Sequence, residues 1–257
     1  MTHLFLSDVH LGAFDESINS KIEQSLLALI NYCLEHSIQM HVLGDLFDYW
    51  MEFGTKIPDL GSNLLTSFSE YNQRFKPVTF ITGNHDYWTE GYFEELGFDV
   101  QSEYSQIADN DVKIFMHHGD GLKDPKFRLP RPFLHKILRH PLFVRFYKWI
   151  LSPDVGLEIM RQFSSQSRSN PSDDPERLNQ WSKSFLKETN YQYIISGHDH
   201  HPRVETFPFG TYINLGTFYG DKTVGIYTNG ECRLVKWDEK NRTFTPFKSD
   251  LKTSNER

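Results

Sequence analysis

The chain has 257 residues, 38% of them hydrophobic, enough for one large domain with a sizeable core. A net charge of -7 argues against general nucleic-acid binding, and no run of 18 apolar residues suggests a transmembrane helix. Two distant cysteines, Cys33 and Cys232, and a start without a basic, apolar leader lead to the expectation of a reduced, cytoplasmic protein.

In chain order, residues 3–7 (HLFLS) form a short apolar run closed by a polar residue, the pattern of a buried strand. Residues 16–35 place Ile22, Leu26, Leu29, Ile30, Cys33 and Leu34 at helical spacing, which puts Cys33 on a buried face. A strand at 39–43, a helix over 60–75 and a strand at 77–81 repeat the alternation. A shorter helix near 90–96 precedes a strand at 112–116. Strands alternating with helices predict a layered α/β domain.

The middle of the chain changes character. Two short helices are expected within 131–151, interrupted by Pro141, and a third over about 154–167. SNPSDDP (169–175) reads as a loop whose Asp174 and Pro175 open the next helix as N-cap and first residue. That helix carries Leu178, Trp181, Phe185 and Leu186 inward. Residues 191–196 return to strand, and 203–238 read as β throughout, punctuated by Gly and Asp-Lys turns. The tail from about 245 is polar and expected to be loose.

Five short motifs stand where predicted strands end: SDVH (7–10), GDLFD (44–48), GNHD (83–86), HHGD (117–120) and GHDHH (197–201). In open α/β sheets ligands bind beyond the carboxyl ends of the strands, so motifs far apart in sequence can converge. Mixed carboxylate and imidazole donors suit two divalent ions of the Mn, Fe or Zn type rather than an all-oxygen Mg or Ca cage. Asp8 and His10 are two apart, as are His198 and His200, a spacing that points both members one way on an extended backbone. A carboxylate such as Asp45 can bridge two ions about 4 Å apart. Each motif alone is weak; five in order, each after a predicted strand, are not.

This series resembles the calcineurin-like metallophosphoesterase superfamily, over residues 8 to 200. The resemblance implies a four-layer αββα sandwich with two metals at the sheet edges. It implies Asp8, His10 and His200 on the first metal, Asn84, His118 and His198 on the second, and Asp45 as bridge. His117 and His118 compete for one place; the family's histidine directly precedes Gly-Asp, which picks His118, and strand alternation turns His117 to the other face. His85 resembles the family's non-ligand histidine, expected to protonate the leaving oxygen or bind transition-state charge. Asp48 and Asp86 are expected to orient ligands or His85.

The gap from His118 to His198 spans 80 residues, against 34 to 39 between the earlier motifs. Within it, residues 122–151 hold eight Lys/Arg and one acidic residue, Asp124, a local +7 that leaves -14 for the rest of the chain. The expectation is a single domain over 1–257 with a helical cap insertion at about 122–187. Phe143, Phe146, Tyr147 and Ile150 follow helical spacing within it. One reading is a solvated amphipathic helix; the other is a lid for an amphiphilic substrate, suited to an anionic membrane surface.

The arrangement resembles the UDP-2,3-diacylglucosamine diphosphatases of lipid A synthesis, over about residues 1–205. That likeness implies hydrolysis of a lipid-linked sugar nucleotide to UMP and a diacylglucosamine 1-phosphate, with manganese, at the inner membrane face. It makes Arg128, Arg131, Ser164, Ser167 and Arg168 candidate substrate contacts. One departure is His85, where the familiar form of that family has Arg. The second reading is a phosphoesterase of soluble nucleotides or phosphoproteins; a third, non-catalytic scaffold is set against the complete ligand set.

Overall fold

Side-chain alternation along the strands decides the architecture. β1 (His3–Leu6) runs parallel to β2 (Gln39–Leu43), β2 to β3 (Thr79–Ile81), and β3 to β4 (Asp99–Gln101). A second group comprises β5 (Tyr104–Asp109), β6 (Val112–His117), β7 (Tyr193–Ser196), β8 (Arg203–Phe207) and β9 (Gly210–Asn214), paired in the order β5-β6-β7-β9-β8. β10 (Thr223–Thr228) returns to β1 antiparallel and is followed outward by β11 (Glu231–Asp238) and β12 (Thr243–Pro246). The computed structural model describes residues 1–54, 56–169 and 175–247, with backbone alone for 167–169 and 175.

Leu4, Leu6, Met40, Val42 and Phe80 face outward from the first sheet. There they meet Leu26, Leu29 and Ile30 of α1 (Glu16–Glu35), and Leu64 and Phe68 of α2 (Ser62–Arg74). Their neighbours Phe5, Leu43 and Ile81 point the other way, onto Ile114, Met116, Ile195 and Ile213 of the second sheet. Phe115, Ile194 and Tyr212 point outward again, onto Leu178, Trp181 and Leu186 of α7 (Pro175–Glu188). The two-residue period of the strand therefore generates the expected four layers, α-β-β-α. Each of these fully buried side chains stabilises the stack by about 1.5–3 kcal/mol relative to exposure.

Some elements differ from the sequence reading. β4 and β5 are additional strands; their alternating, half-exposed residues give no apolar run. β12 occupies part of the tail expected to be loose, because Phe244 packs on Trp237 and Tyr32. The third strand begins at Thr79, two residues late, and α3 (Tyr92–Glu95) is a single turn. Asp174 lies outside the described residues.

After β6 the chain forms a 3-10 turn (Pro125–Phe127) and then α4 (Phe133–Leu138), α5 (Pro141–Ile150) and α6 (Pro153–Ser169). Pro141 is the first residue of α5, where its missing N–H costs nothing, and His140 caps the helix by accepting from Leu142 N–H. The stretch 122–187 thus divides. α7 belongs to the outer layer of the sandwich, and α4–α6 form the cap. The aromatic residues of α5 also divide. Phe143 and Tyr147 turn inward onto Trp88, with Tyr147 centred 5.2 Å from it. Phe146, Trp149 and Ile150 face solvent, Trp149 at 81% exposure.

Candidate metal centre

The carboxyl ends of β1, β2, β3, β6 and β7 lie along one edge of the sandwich and deliver the five motifs to it. The backbone there is unusual. Asp8, His10, Asp45, His198 and His200 all adopt left-handed φ, between 48° and 77°. Such a conformation costs a non-glycine residue about 1–3 kcal/mol, and Asp and His tolerate it better than most. It swings each side chain off the strand direction and into the common centre. Glycine clears the approach: a Cβ on Gly83 would stand 2.0 Å from Asp45 Oδ1, and one on Gly197 would stand 2.1 Å from Asp8 Oδ2.

All seven residues expected as ligands come together. His200 Nε2 lies 3.2 Å from Asp8 Oδ1, and His10 Nε2 lies 3.8 Å from the same oxygen and 3.2 Å from His200 Nε2. On the other side, His118 Nε2 lies 3.0 Å from Asn84 Oδ1 and 3.2 Å from His198 Nδ1. Asp45 Oδ2 sits between the two groups, 3.7 Å from His10 Nε2 and 3.3 Å from His118 Nε2. This is the geometry of two adjoining donor sets sharing one carboxylate.

The donors fit divalent cations on three counts. Asp8 Oδ2 is satisfied by Ser7 Oγ–H at 2.6 Å and by the His198 N–H at 3.0 Å, but buried Asp8 Oδ1 has no hydrogen-bond partner and faces the imidazoles. His118 Nδ1–H donates to Leu43 O at 2.8 Å, which leaves Nε2 with its lone pair toward the centre. Electrostatics agree. Burial works to raise the Asp8 and Asp45 pKa values, yet the surrounding imidazoles hold both well below the usual carboxylate range. Burial likewise works against protonation of His118, but Asp45 first and then Asp8 and Asp120 push its pKa up to about 10. Buried carboxylates that drive a neighbouring histidine to take a proton are a centre short of positive charge, the deficit that metal ions make good.

His85 stands beside this centre. Its backbone N–H donates to Asp45 Oδ1 at 3.0 Å, and Nε2 lies 4.0 Å from Asp45 Oδ2. Nδ1 faces Asp48 O at 2.8 Å and Ser164 Oγ at 2.6 Å. Burial lowers its pKa to about 3 against the opposing pull of Asp45, so the ring is neutral with Nε2 unprotonated. His117 is turned away as strand alternation requires. It is buried edge-on against Trp181, with ring centroids 4.9 Å apart.

The other expected residues take different places. Asp86 accepts from the N–H groups of Gly83 at 2.7 Å, Asp45 at 3.2 Å and Leu46 at 2.7 Å, so it ties the GNHD and GDLFD turns together rather than touching His85. Asp48 Oδ1 lies 3.6 Å from His10 Nδ1. Ser164, on the cap helix α6, is buried and donates its hydroxyl to Asp48 O beside His85. Arg131 is not a free substrate contact. Its guanidinium is buried and engaged by Asp120, both oxygens of Glu103 and Gly121 O. Arg128 pairs with Glu188 on the surface, 2.9 Å away. The side chains of Ser167 and Arg168 lie outside the described residues.

Several supporting residues were not singled out from sequence. Asp120 accepts from Arg131 Nε at 3.2 Å and Arg139 Nη2 at 3.0 Å. Arg139 Nη2 also donates to Gly83 O at 2.6 Å, which pins the cap to the GNHD turn. Burial opposes ionisation of Asp120, but Arg139 and Arg131 hold its carboxyl well below the usual range. Asp199 accepts from His201 N–H at 2.9 Å and Arg203 Nη2 at 3.0 Å, bracing the loop that bears His198 and His200. Asp120 and Asp199 were visible inside quoted motifs, but their partners lie on elements whose docking no local pattern records.

A family model described as calcineurin-like phosphoesterase matches residues 1–202. The chain belongs to that family, and it is a hydrolytic enzyme. It is 24% identical over 223 residues to the UDP-2,3-diacylglucosamine hydrolase of Porphyromonas gingivalis, covering 80% of each chain. It is 25% identical over 249 residues to the protein of that name from Vibrio atlanticus, covering 94% of this chain and all of the other. Among solved structures it is similar to Yfce, a phosphoesterase from E. coli, with a TM-score of 0.47 and 14% identity over 95% of this chain and 96% of that one. The family implies divalent metal ions, in agreement with the donor set.

Proposed function

We propose that the enzyme hydrolyses the diphosphate of UDP-2,3-diacylglucosamine, or a close lipid-linked sugar nucleotide, to UMP and a diacylglucosamine 1-phosphate. The observation that carries this reading is the cap beside the metal centre. It presents Phe133 at 78% exposure together with Leu142, Phe146, Trp149 and Ile150, an apolar face left open to solvent, as a site for acyl chains would be. The same cap carries the exposed basic residues Lys136 and Arg145, suiting a substrate that has phosphates as well as acyl chains. The names of the relatives support the same choice. The exposed apolar face is proposed to touch the cytoplasmic face of the inner membrane peripherally.

Asp8, His10 and His200 would hold one ion, Asn84, His118 and His198 the other, with Asp45 shared; manganese is the ion proposed, with iron or zinc as alternatives. Bound there, such ions supply Lewis acidity to the phosphoryl oxygens and lower the pKa of water. Asp86 and Asp199 fix the turns that aim these side chains. His85, neutral with Nε2 free, is placed to take the proton released as water adds to phosphorus and to return it to the departing oxygen.

The test compares UMP release from the lipid-linked nucleotide with turnover of soluble nucleotides and phosphopeptides, each with added manganese. Release of UMP at the higher kcat/KM supports the proposal; soluble substrates turned over with no UMP from the lipid overturn it. His85→Ala should lower kcat by roughly 10²–10⁴ while metal content is kept.

A further inference from the structure

A second concavity lies on the other side of the GNHD turn from the metal centre. Its volume is about 1170 Å³, and it runs between the cap and the β3–β4 edge of the first sheet. Thr82, Tyr87 and Ser102 line it from the sandwich, and Lys136, Arg139 and Arg145 from the cap. It shares a wall with the centre. Thr82 is two residues before Asn84, Tyr87 is two after His85, and Arg139 holds Gly83 O.

The charges of the groove do not cancel. Arg131 is neutralised by Glu103 and Asp120, and Lys148 pairs with Glu90 at 2.6 Å. For Lys136 and Arg145, both exposed, no carboxylate partner is found among the described residues. Two lining groups carry buried polar atoms without a hydrogen-bond partner, Arg139 Nε and Tyr87 Oη, and the Arg139 guanidinium lies 4.6 Å over the Tyr87 ring. A groove wall with spare positive charge suits a phosphate-bearing ligand. Hydroxyls of Thr89 and Ser102 offer partners for a sugar and a base edge. The volume accommodates a whole nucleotide.

Helix α5 sorts two chemistries. Val144, Arg145 and Lys148 line the groove, whereas Phe146, Trp149 and Ile150 face solvent. A substrate with a nucleotide at one end and acyl chains at the other would therefore meet matching surfaces on two sides of one helix, with the reacting phosphates beside both.

We infer that this groove binds the nucleotide half of the substrate, a uridine nucleotide in the reading proposed above, on which the inference rests. The test titrates UMP, and separately inorganic phosphate, into the full chain, metal-loaded and after treatment with EDTA, by calorimetry. Wild type is expected to bind UMP with and without metal, and more tightly than phosphate. Lys136→Glu with Arg145→Glu should weaken UMP by about tenfold or more, with an unchanged melting temperature as the check on folding. Unaltered UMP affinity in that variant overturns the inference, as does equal affinity of wild type for phosphate and UMP, which would mark an anion patch and no nucleotide site. If the variant loses UMP but wild type releases none from the lipid-linked substrate, the groove stands and the substrate assignment falls.

Discussion

Replacing Asp120 by Asn tests how the cap is fastened to the catalytic edge. The carboxylate is 3% exposed and accepts from two guanidinium groups, Arg131 at 3.2 Å and Arg139 at 3.0 Å. Removing one partner of a buried ion pair costs about 3–5 kcal/mol, because the other charge is left without compensation. Arg131 keeps Glu103 and Gly121 O, and Arg139 keeps Gly83 O, so the low end applies, about 3 kcal/mol. For a chain of this size that is a fall in melting temperature of about 6–12 °C, read by calorimetry at pH 7. The sign with pH follows from the depressed carboxyl. Its contribution is full above the unfolded pKa near 3.8 and is lost only as pH falls toward the still lower folded value. The gap between wild type and variant should therefore stay constant from pH 8 to about 5 and close only in stronger acid. A fall of less than about 2 °C at pH 7 would refute the claim that this buried triad holds the cap.

Other substitutions probe the centre itself. Gly83→Ala places a methyl 2.0 Å from Asp45 Oδ1, so bound metal, counted by mass spectrometry, should drop sharply; full metal content would contradict the close approach. Ser164→Ala removes the hydroxyl 2.6 Å from His85 Nδ1 and should lower kcat by about tenfold with little change in KM, with partial rescue by Ser164→Thr; an unchanged kcat would show that the cap does not position His85. Chelation should lower the melting temperature and manganese should restore it, by about 2.7 kcal/mol at a hundredfold excess over Kd; indifference to EDTA would argue against the buried donor set as a metal centre. His3 and His41, 2.9 Å apart between the sheets, have pKa values lowered by burial to about 4 and about 3. The unfolded chain then binds more protons below the ordinary histidine value of 6.5, so stability should fall as pH drops from 6.5 toward 4, each histidine adding up to about 1.4 kcal/mol per pH unit. His41→Phe should flatten that slope in acid denaturation curves; an unchanged slope would place the proton uptake elsewhere.

Much of this molecule was written locally. The alternation of Leu4, Phe5 and Leu6 and of Ile114, Phe115 and Met116 specifies strands with two buried faces, because successive side chains must point to opposite sides. The same rule separates His117 from His118. The order of five motifs after five strands placed candidate donors at one edge, since a strand's carboxyl end is a fixed place in an α/β sheet, and the family resemblance those motifs carry implied which seven residues they are. Three properties were not local. The left-handed backbone at Asp8, His10, Asp45, His198 and His200 is imposed by the packing of turns from both sheets. Arg131, expected to touch substrate, is instead held by Glu103 and Asp120, and Asp120 also holds Arg139, all within 3.2 Å. Phe143 and Phe146 look alike on a helical pattern, but only Phe143 finds Trp88. The sequence by itself determined which residues point to which face and which chemistry stands at the strand ends, because period and turn are properties of neighbouring residues. The tertiary structure alone decided which charges are spent on each other and which apolar face is left to solvent, because those depend on partners distant in the chain and known only once the layers are packed.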